Sequence, residues 1–552
     1  MNIETFYQGF CKETFDENGV LNTFEPVLAE NFNFAYDVVD EIARQEPDRR
    51  AMVWCNETGE SKTFTFGEMK RYSDKCAQML AARGIIKGDT VLLSLRCHYE
   101  FWFTILALHK LGAVAVPVSH TLTVQELLRR FQVTGITACV VSGEGITAQA
   151  VEEACEEYHD MRAKFLVRGH RDGWIDYQQE LEKQDGNWTR VSLSKTDPLL
   201  LYFTSGIADE PRIALHDHTY PAAHILTARY WQDIHSEDLH MGTAETGWMK
   251  AVWGKLYGQW FVGACILVYD FDCFVARDLL AVMAQYKVTS FCAPPIVYRS
   301  LLREHLAAYD LSALRSCTAI GDSLSPEIFT RWKKQTGLAI KEAFGQTETV
   351  IVAANLTGSE PKPGSMGKPS PLFSIRLTDE DGIPLPPGAA GEICIDTNKP
   401  HSGLFREYYH NEELTKSVWH DGLYHTGDMA WMDEEGYLWY IGRQGDLIKA
   451  SGYRISPHEI ENVLAQHPAV AESAVLGISD PARGTVVKAI VVLEPEVLPS
   501  EALKKELQDF VKKHAAPYKY PRVVEFIPAL PRTLSGKVRR SDLRTPSETN
   551  FS

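Results

Sequence analysis

Five short segments of this chain bring together residue types that could handle a phosphate, a hard cation or a sugar. Residues 199–213 (LLLYFTSGIADEPRI) run an apolar strand into Thr204-Ser205-Gly206. Hydroxyls and a glycine at a strand's carboxyl end can present O–H and N–H donors to a phosphate. The segment lacks the GxxxxGK[ST] spacing of a Walker A loop. Residues 344–349 (FGQTET) set the carboxylate of Glu348 among hydroxyls, a donor set that suits Mg²⁺, a hard cation that prefers oxygen and keeps several waters. Residues 424–428 (YHTGD), with Gly442-Arg443 close behind, offer a carboxylate after a Thr-Gly turn that can accept both hydroxyls of a ribose. The remaining two are 448–461 (IKASGYRISPHEIE) and 534–538 (LSGKV). The lysine of the last sits on a turn and could reach another unit's site as a point charge. Taken singly, each segment reads equally well as an ordinary turn, a solvated loop or a surface lysine.

The elements that must position these residues alternate. Helical spacing over 68–83 leads to an apolar run at 90–95, and a second helix over 99–110 leads to a second run at 113–118. Similar runs recur at 138–141, 266–269, 290–292 and 317–320. Short apolar strands alternating with helices predict an α/β fold whose parallel sheets are covered on both faces. After about residue 370 the strands shorten and Gly/Pro/Asp turns separate them, which predicts a β-rich subdomain over about 370–442. A glycine-bearing polar turn at 443–446 then precedes a helix over 456–467, strands at 470–476 and 486–493, and an amphipathic helix over 501–514. The expected organisation is a large domain over 1–442, a hinge at 443–446 and a small α+β domain over 447–552.

Composition narrows the partners. Lys+Arg is 56 and Asp+Glu is 73, a net charge of −17, which disfavours a bulk polyanion such as nucleic acid and leaves small anionic molecules open. The 11 cysteines form no CxxC pair and read as buried thiols in a reducing compartment. No basic-then-apolar leader and no membrane-spanning run is apparent, so a cytoplasmic protein is expected. His216, His218 and His224 read as solvent-facing, and no transition metal is assigned to them.

The order and spacing of the segments are more specific than any one of them. TSG at 204–206, FGQTET, YHTGD, GR at 442–443, SGYRI and SGKV resemble the ANL superfamily of adenylate-forming enzymes, over nearly the whole chain. GWMKAVWGKLYGQ at 247–259, APPIVYRSL at 293–301, GDSLSP at 321–326 and APYKYP at 516–521 are most similar to the medium-chain acyl-CoA synthetases. The resemblance implies an ATP-dependent acyl-CoA synthetase with ATP, Mg²⁺ and CoA, acting on a short, branched, medium-chain or aromatic acid, with a C-terminal lid that rotates between adenylation and thioester formation. It implies that Lys537 bridges the acid's carboxylate and the α-phosphate, that Thr347 bonds that phosphate and that Glu348 holds the metal. Thr204, Ser205 and Gly206 would face the phosphates. Gly321, Asp322, Ser323, Phe344, Gly345 and Gln346 would form the adenine side, and Asp428 and Arg443 would hold the ribose. Trp248, Met249 and Trp253 would line the acyl pocket, Gly452 and Arg454 would serve the thioester step, and Gly445 would be the hinge. The partners are then small molecules, without nucleic acid or a membrane span, and a homo-oligomer is open.

Two positions depart from the family's pattern. Its phosphate loop, T-S-G-[ST]-[TS]-G-x-P-K, is here TSGIADEPR, so Asp209 and Glu210 flank a site for phosphates and Arg212 stands for the lysine. The hinge position, Asp or Lys in the family, is Gly445. Two further readings follow from the sequence: an impaired relative that binds acyl-adenylate or CoA without efficient turnover, and a GDSL-type hydrolase built on 321–324, which lacks a DxxH late in the chain.

Overall fold

The computed structural model describes residues 2–204, 212–450, 453–480, 484–532 and 538–543. Two large sheets dominate it. In the first, Val114–Pro117, Thr90–Ser94, Ile136–Ser142 and Ala163–Val167 lie parallel in that order, with Pro198–Phe203 parallel beyond Val114–Pro117. Ile213–Asp217 turns back antiparallel on Pro198–Phe203. The second sheet runs Arg50–Asn56, Cys265–Asp270, Leu239–Gly242, Ser290–Ala293, Ser316–Ala319 and Ile340–Gly345, again parallel. These strands are apolar along their length because both faces are covered; all five residues of Thr90–Ser94 are buried.

The helix Glu100–Leu111 is buried on every side, and its sequence, EFWFTILALHKL, is accordingly apolar all round. Its one lysine, Lys110, is enclosed, and its ammonium donates to Asp40 at 2.8 Å and Asp74 at 2.6 Å, the pairing that a buried charge requires. The helix Phe66–Ala81 begins on a capping box between Thr65 and Glu68, which satisfies two of its free N–H groups. One continuous apolar cluster reaches from the first sheet into the second.

The β-rich segment is an antiparallel sheet in which Ala390–Asp396 lies between Ile375–Thr378 and Leu423–Met432, with Leu438–Arg443 on the far side of the latter. Beyond it, Val470–Asp480, Gly484–Leu493 and Val523–Phe526 form a separate sheet backed by the helices Pro457–Leu464 and Glu501–His514. This last unit has its own apolar core. It meets the rest of the chain through polar contacts, among them Arg303–Glu494 at 3.4 Å and the Ser456 hydroxyl donating to the Ile441 carbonyl. All 11 cysteines are free thiols, and nine of them are buried.

Candidate active site

The FGQTET segment leaves the carboxyl end of the strand Ile340–Gly345, where open parallel sheets place their ligands. The turn is tied locally: the Gln346 N–H donates to the Thr349 hydroxyl at 2.9 Å, and that hydroxyl donates to the Val350 carbonyl at 2.6 Å. The Gln346 side chain then crosses to YHTGD. Its amide donates to the Thr426 carbonyl at 2.8 Å and to Asp428 at 2.5 Å, while its oxygen accepts from the Tyr424 hydroxyl at 2.8 Å.

Asp428 is 2% exposed. Its second oxygen accepts from the Tyr440 hydroxyl at 2.8 Å and lies 3.7 Å from the Arg443 guanidinium. The pairing is fixed by register, since Asp428 and Arg443 are direct partners on neighbouring antiparallel strands. The Phe344 ring sits 6.0 Å from that of Tyr440 at 33°. An aromatic slot, a held carboxylate and a half-exposed arginine thus lie together.

Glu348 is buried; one oxygen accepts from the Tyr408 hydroxyl at 2.7 Å, and Arg212 bears on the same hydroxyl. A single buried carboxylate fits Mg²⁺, which takes most of its ligands from substrate phosphates and water. The Thr347 carbonyl faces His216 Nε2 at 2.8 Å. A carbonyl only accepts, so Nε2 carries the proton, and burial pushes the His216 ring down to about 4.

His216, His218 and His224 are all buried, not solvent-facing as their spacing suggested. They lie on the strand Ile213–Asp217, in the turn that follows it and on the helix Tyr220–Ile225, inside a stack of rings in which His216 meets Tyr220 at 4.0 Å and Tyr220 meets His224 at 4.7 Å. All five residues of Ile213–Asp217 and all six of Tyr220–Ile225 are buried whatever their polarity, because both elements are covered on every face, and aromatic neighbours fill the space around the rings.

The acyl-side residues stand behind this turn. Trp248 and Trp253, with Trp231, Lys250, Cys292 and Ile320, wall a cavity of about 20 Å³, room for one or two waters. Met249 is buried in the same segment but is not among the lining residues. Two glycines stand between this cavity and the residues expected on the nucleotide side. A Cβ on Gly345 would come within 2.6 Å of both the Trp253 indole and the Val350 carbonyl. A Cβ on Gly321, whose φ is +120°, would lie 2.1 Å from the Lys250 ammonium. Asp322 and Ser323 follow, with an Asp322 oxygen accepting from the Ser323 N–H at 3.0 Å. The Trp253 N–H donates to the Tyr220 hydroxyl at 2.6 Å, so the cavity connects through Tyr220 and His216 to the Thr347 carbonyl.

Gly345→Ala is expected to lose roughly 1–3 kcal/mol of stability through overpacking, because the Val350 carbonyl cannot swing away as a flexible side chain would. Urea midpoints of the variant and the parent measure it, and an unchanged midpoint would show that the wall yields.

Thr204 lies at the end of its strand, its N–H donating to the Arg212 carbonyl at 2.8 Å across the base of the loop. Ser205, Gly206, Asp209, Glu210, Gly452 and Lys537 lie outside the described residues, and Arg454 is placed by its backbone alone, on the strand Tyr453–Ile455. Gly445 lies in the short turn Gln444–Asp446, where a Cβ would meet nothing. Sequence reasoning missed Tyr408 and Tyr440, gave Tyr424 no role although it opens YHTGD, and read His216 as solvent-facing. Two of these carried a signal: Tyr424 its place in YHTGD, and His216 its place in the strand that follows the TSG segment.

Two aromatic rings, a held carboxylate and an arginine beside a tryptophan-walled cavity match the layout that the sequence motifs imply for an adenylate-forming enzyme. The AMP-binding enzyme family matches residues 39–409, and the AMP-binding enzyme C-terminal domain matches 459–537. The mitochondrial acyl-coenzyme A synthetase ACSM3 of Pongo abelii is 38% identical over 533 residues, 94% of this chain and 90% of its own length. The mitochondrial acyl-coenzyme A synthetase ACSM4 of Rattus norvegicus is 39% identical over 543 residues, 96% and 93% of the two lengths. Among solved structures, the anthranilate CoA ligase AuaEII in complex with anthranoyl-AMP superposes with a TM-score of 0.86 at 27% identity, covering 94% of this chain and 97% of that one. A benzoate CoA ligase from Burkholderia xenovorans LB400 gives a TM-score of 0.83 at 25% identity over 93% and 100%.

The chain belongs to the AMP-binding family of adenylate-forming enzymes. Within it the chain is an acyl-CoA synthetase, an AMP-forming acid–thiol ligase that uses ATP and CoA. The same relatives overturn the expectation of a cytoplasmic protein, since the named synthetases are mitochondrial. A compartment is set by receptor-read signals that bulk composition does not carry. No helix among the described residues is long and apolar enough to cross a membrane.

Proposed function

We propose that the enzyme activates a short, branched or compact aromatic acid rather than a long one. The observation that carries this reading is the pair of indoles, Trp248 and Trp253, that wall the cavity behind Gly321 and Gly345. An indole fills volume that further methylenes would need. The anthranilate and benzoate ligases, both named for compact aromatic acids, support the same size class.

In this reading Phe344 and Tyr440 flank the adenine, and Asp428 with Arg443 holds the ribose. Asp428 is oriented by Gln346 and Tyr440, whose donors are already spent on it. The Thr347 hydroxyl bonds the α-phosphate, and His216 fixes the loop by holding the Thr347 carbonyl. Glu348 would hold Mg²⁺, which when bound neutralises phosphate charge. Lys537 brings a cation to the acid's carboxylate and the α-phosphate as they approach each other. Adenylation supplies the leaving group that a carboxylate lacks, and the enzyme's contribution is placement and fixed charge. The unit after Gln444–Asp446 carries both Lys537 and Arg454, so a rotation at Gly445 would exchange the lysine for the thioester-forming face.

The test is a thioester-formation screen over straight-chain, branched and aryl acids, run on the parent and on Trp248→Ala. Trp248 forms the cavity wall and is only partly buried, so its loss widens the pocket at moderate cost. The optimum is expected to move to acids at least two carbons longer, with kcat/KM rising about tenfold per methylene accommodated. An unchanged length profile would show that the acid binds elsewhere.

A further inference from the structure

The β-rich sheet holds a cluster that adenylation does not use. Cys394 and His425 are direct cross-strand partners on Ala390–Asp396 and Leu423–Met432, and Glu392 stands two residues before Cys394. Their donor atoms converge: His425 Nδ1 is 3.0 Å from Glu392 Oε2 and 3.5 Å from Cys394 Sγ, and all three ligand atoms lie within 4.8 Å of one another. It is the sole group of three such side chains among the described residues.

We propose that Glu392, Cys394 and His425 form a binding site for Zn²⁺, with water completing the coordination. The spacing suits that ion. Ligands at about 2.0 Å for nitrogen and oxygen and about 2.3 Å for sulfur, set tetrahedrally, lie about 3.3–3.6 Å apart. The donor set, one thiolate, one imidazole and one carboxylate, selects a borderline-soft cation over Mg²⁺ or Ca²⁺. Outer partners are already in place. The second Glu392 oxygen accepts from the Gly427 N–H at 2.7 Å, and the Thr378 hydroxyl lies 3.3 Å from Cys394 Sγ, where it can donate to a thiolate. The His420 ring stacks on His425 at 4.0 Å and 13°, which fixes the plane of the imidazole. Glu392 and His425 retain partial exposure, 13% and 15%, which gives the cation an entry from solvent.

The full chain, reduced and stripped with chelator, is titrated with Zn²⁺ against a chromophoric competitor and separately with Co²⁺. One equivalent of Zn²⁺ and a thiolate-to-Co²⁺ charge-transfer band are expected. Cys394→Ser should abolish the band, and Cys394→Ser and His425→Asn should each lower Zn²⁺ affinity about tenfold or more. Should the buried Cys394→Ser fail to fold, His425→Asn, at a partly exposed position, decides the matter. No bound equivalent, a Co²⁺ spectrum without the thiolate band, or equal Zn²⁺ affinity in the parent and His425→Asn would overturn the proposal.

Discussion

Acidification from pH 8 to pH 5 is expected to remove most of the protein's stability. Six histidines are enclosed and held neutral. Burial pushes His98 down to about 2, with Arg168 and Arg96 adding to the effect, His240 to about 3, and His216 and His218 to about 4. His109 and His224 are driven well below the ordinary value, again by burial. Asp217 pulls against this shift at His216 and His218, as Asp238 does at His240. In the unfolded chain each ring takes a proton near pH 6.5. The stabilisation from these groups is therefore complete above about pH 6.5 and is lost as pH falls toward the folded values, because the unfolded state binds the protons first. At pH 5 each group costs about 2 kcal/mol, so six together reach the order of 10 kcal/mol, comparable with the whole stability of a typical domain. Glu342, Glu100 and Asp40 act in the opposite sense, since burial raises their carboxyls, but they are fewer. Urea midpoints at pH 8, 7, 6 and 5 measure the sum; a flat series would show that the histidines are not protonated on unfolding. His218→Phe should reduce the slope, because both ring nitrogens of His218 are buried without hydrogen bonds among the described residues.

Lys537→Ala should lower the adenylation rate by about 10²–10³-fold or more, the range for losing one preorganised charge partner of a transition state. Thioester formation from supplied acyl-adenylate should remain within a few-fold. The asymmetry is the point of the experiment. In the proposed role the cation is needed when two anions, a carboxylate and an α-phosphate, must approach, and that repulsion is gone once they are joined. Its neighbours Arg532 and Val538 pair across the base of the loop that bears it, and Arg540 is anchored to Glu461 at 2.6 Å, so removing the side chain leaves the supports intact. Pyrophosphate release reads the first step, and thioester from synthetic acyl-adenylate reads the second. Equal losses in both would place Lys537 elsewhere in the reaction.

The strands of the two large sheets were legible as apolar runs because parallel strands are covered on both faces; Thr90–Ser94 and Ile136–Ser142 are examples. Periodicity did not say which strands share a sheet. Arg50–Asn56 joins Cys265–Asp270, far along the chain, and no local pattern encodes such a pairing. The N-terminal hairpin of Cys11–Phe15 with Leu21–Pro26 gave no clear alternation and went unread. In the site, Glu348, Gln346 and Asp428 were visible from their motifs, whereas their holders were not. Tyr408 reaches Glu348 across 60 residues, Tyr424 reaches Gln346 across 78, and His216 reaches Thr347 across 131. A tyrosine in a strand announces packing, and only coordinates reveal which carboxylate its hydroxyl serves.

In the proposed arrangement, Gly345 and Gly321 make the partition between nucleotide and acid one backbone thick. Selectivity and cofactor grip therefore share a party wall: a substitution that reshapes the room for the acid presses on the mount of the adenine. Retuning this enzyme toward bulkier acids should proceed from Trp231 or Cys292, lining residues that are buried in the protein away from the two glycines.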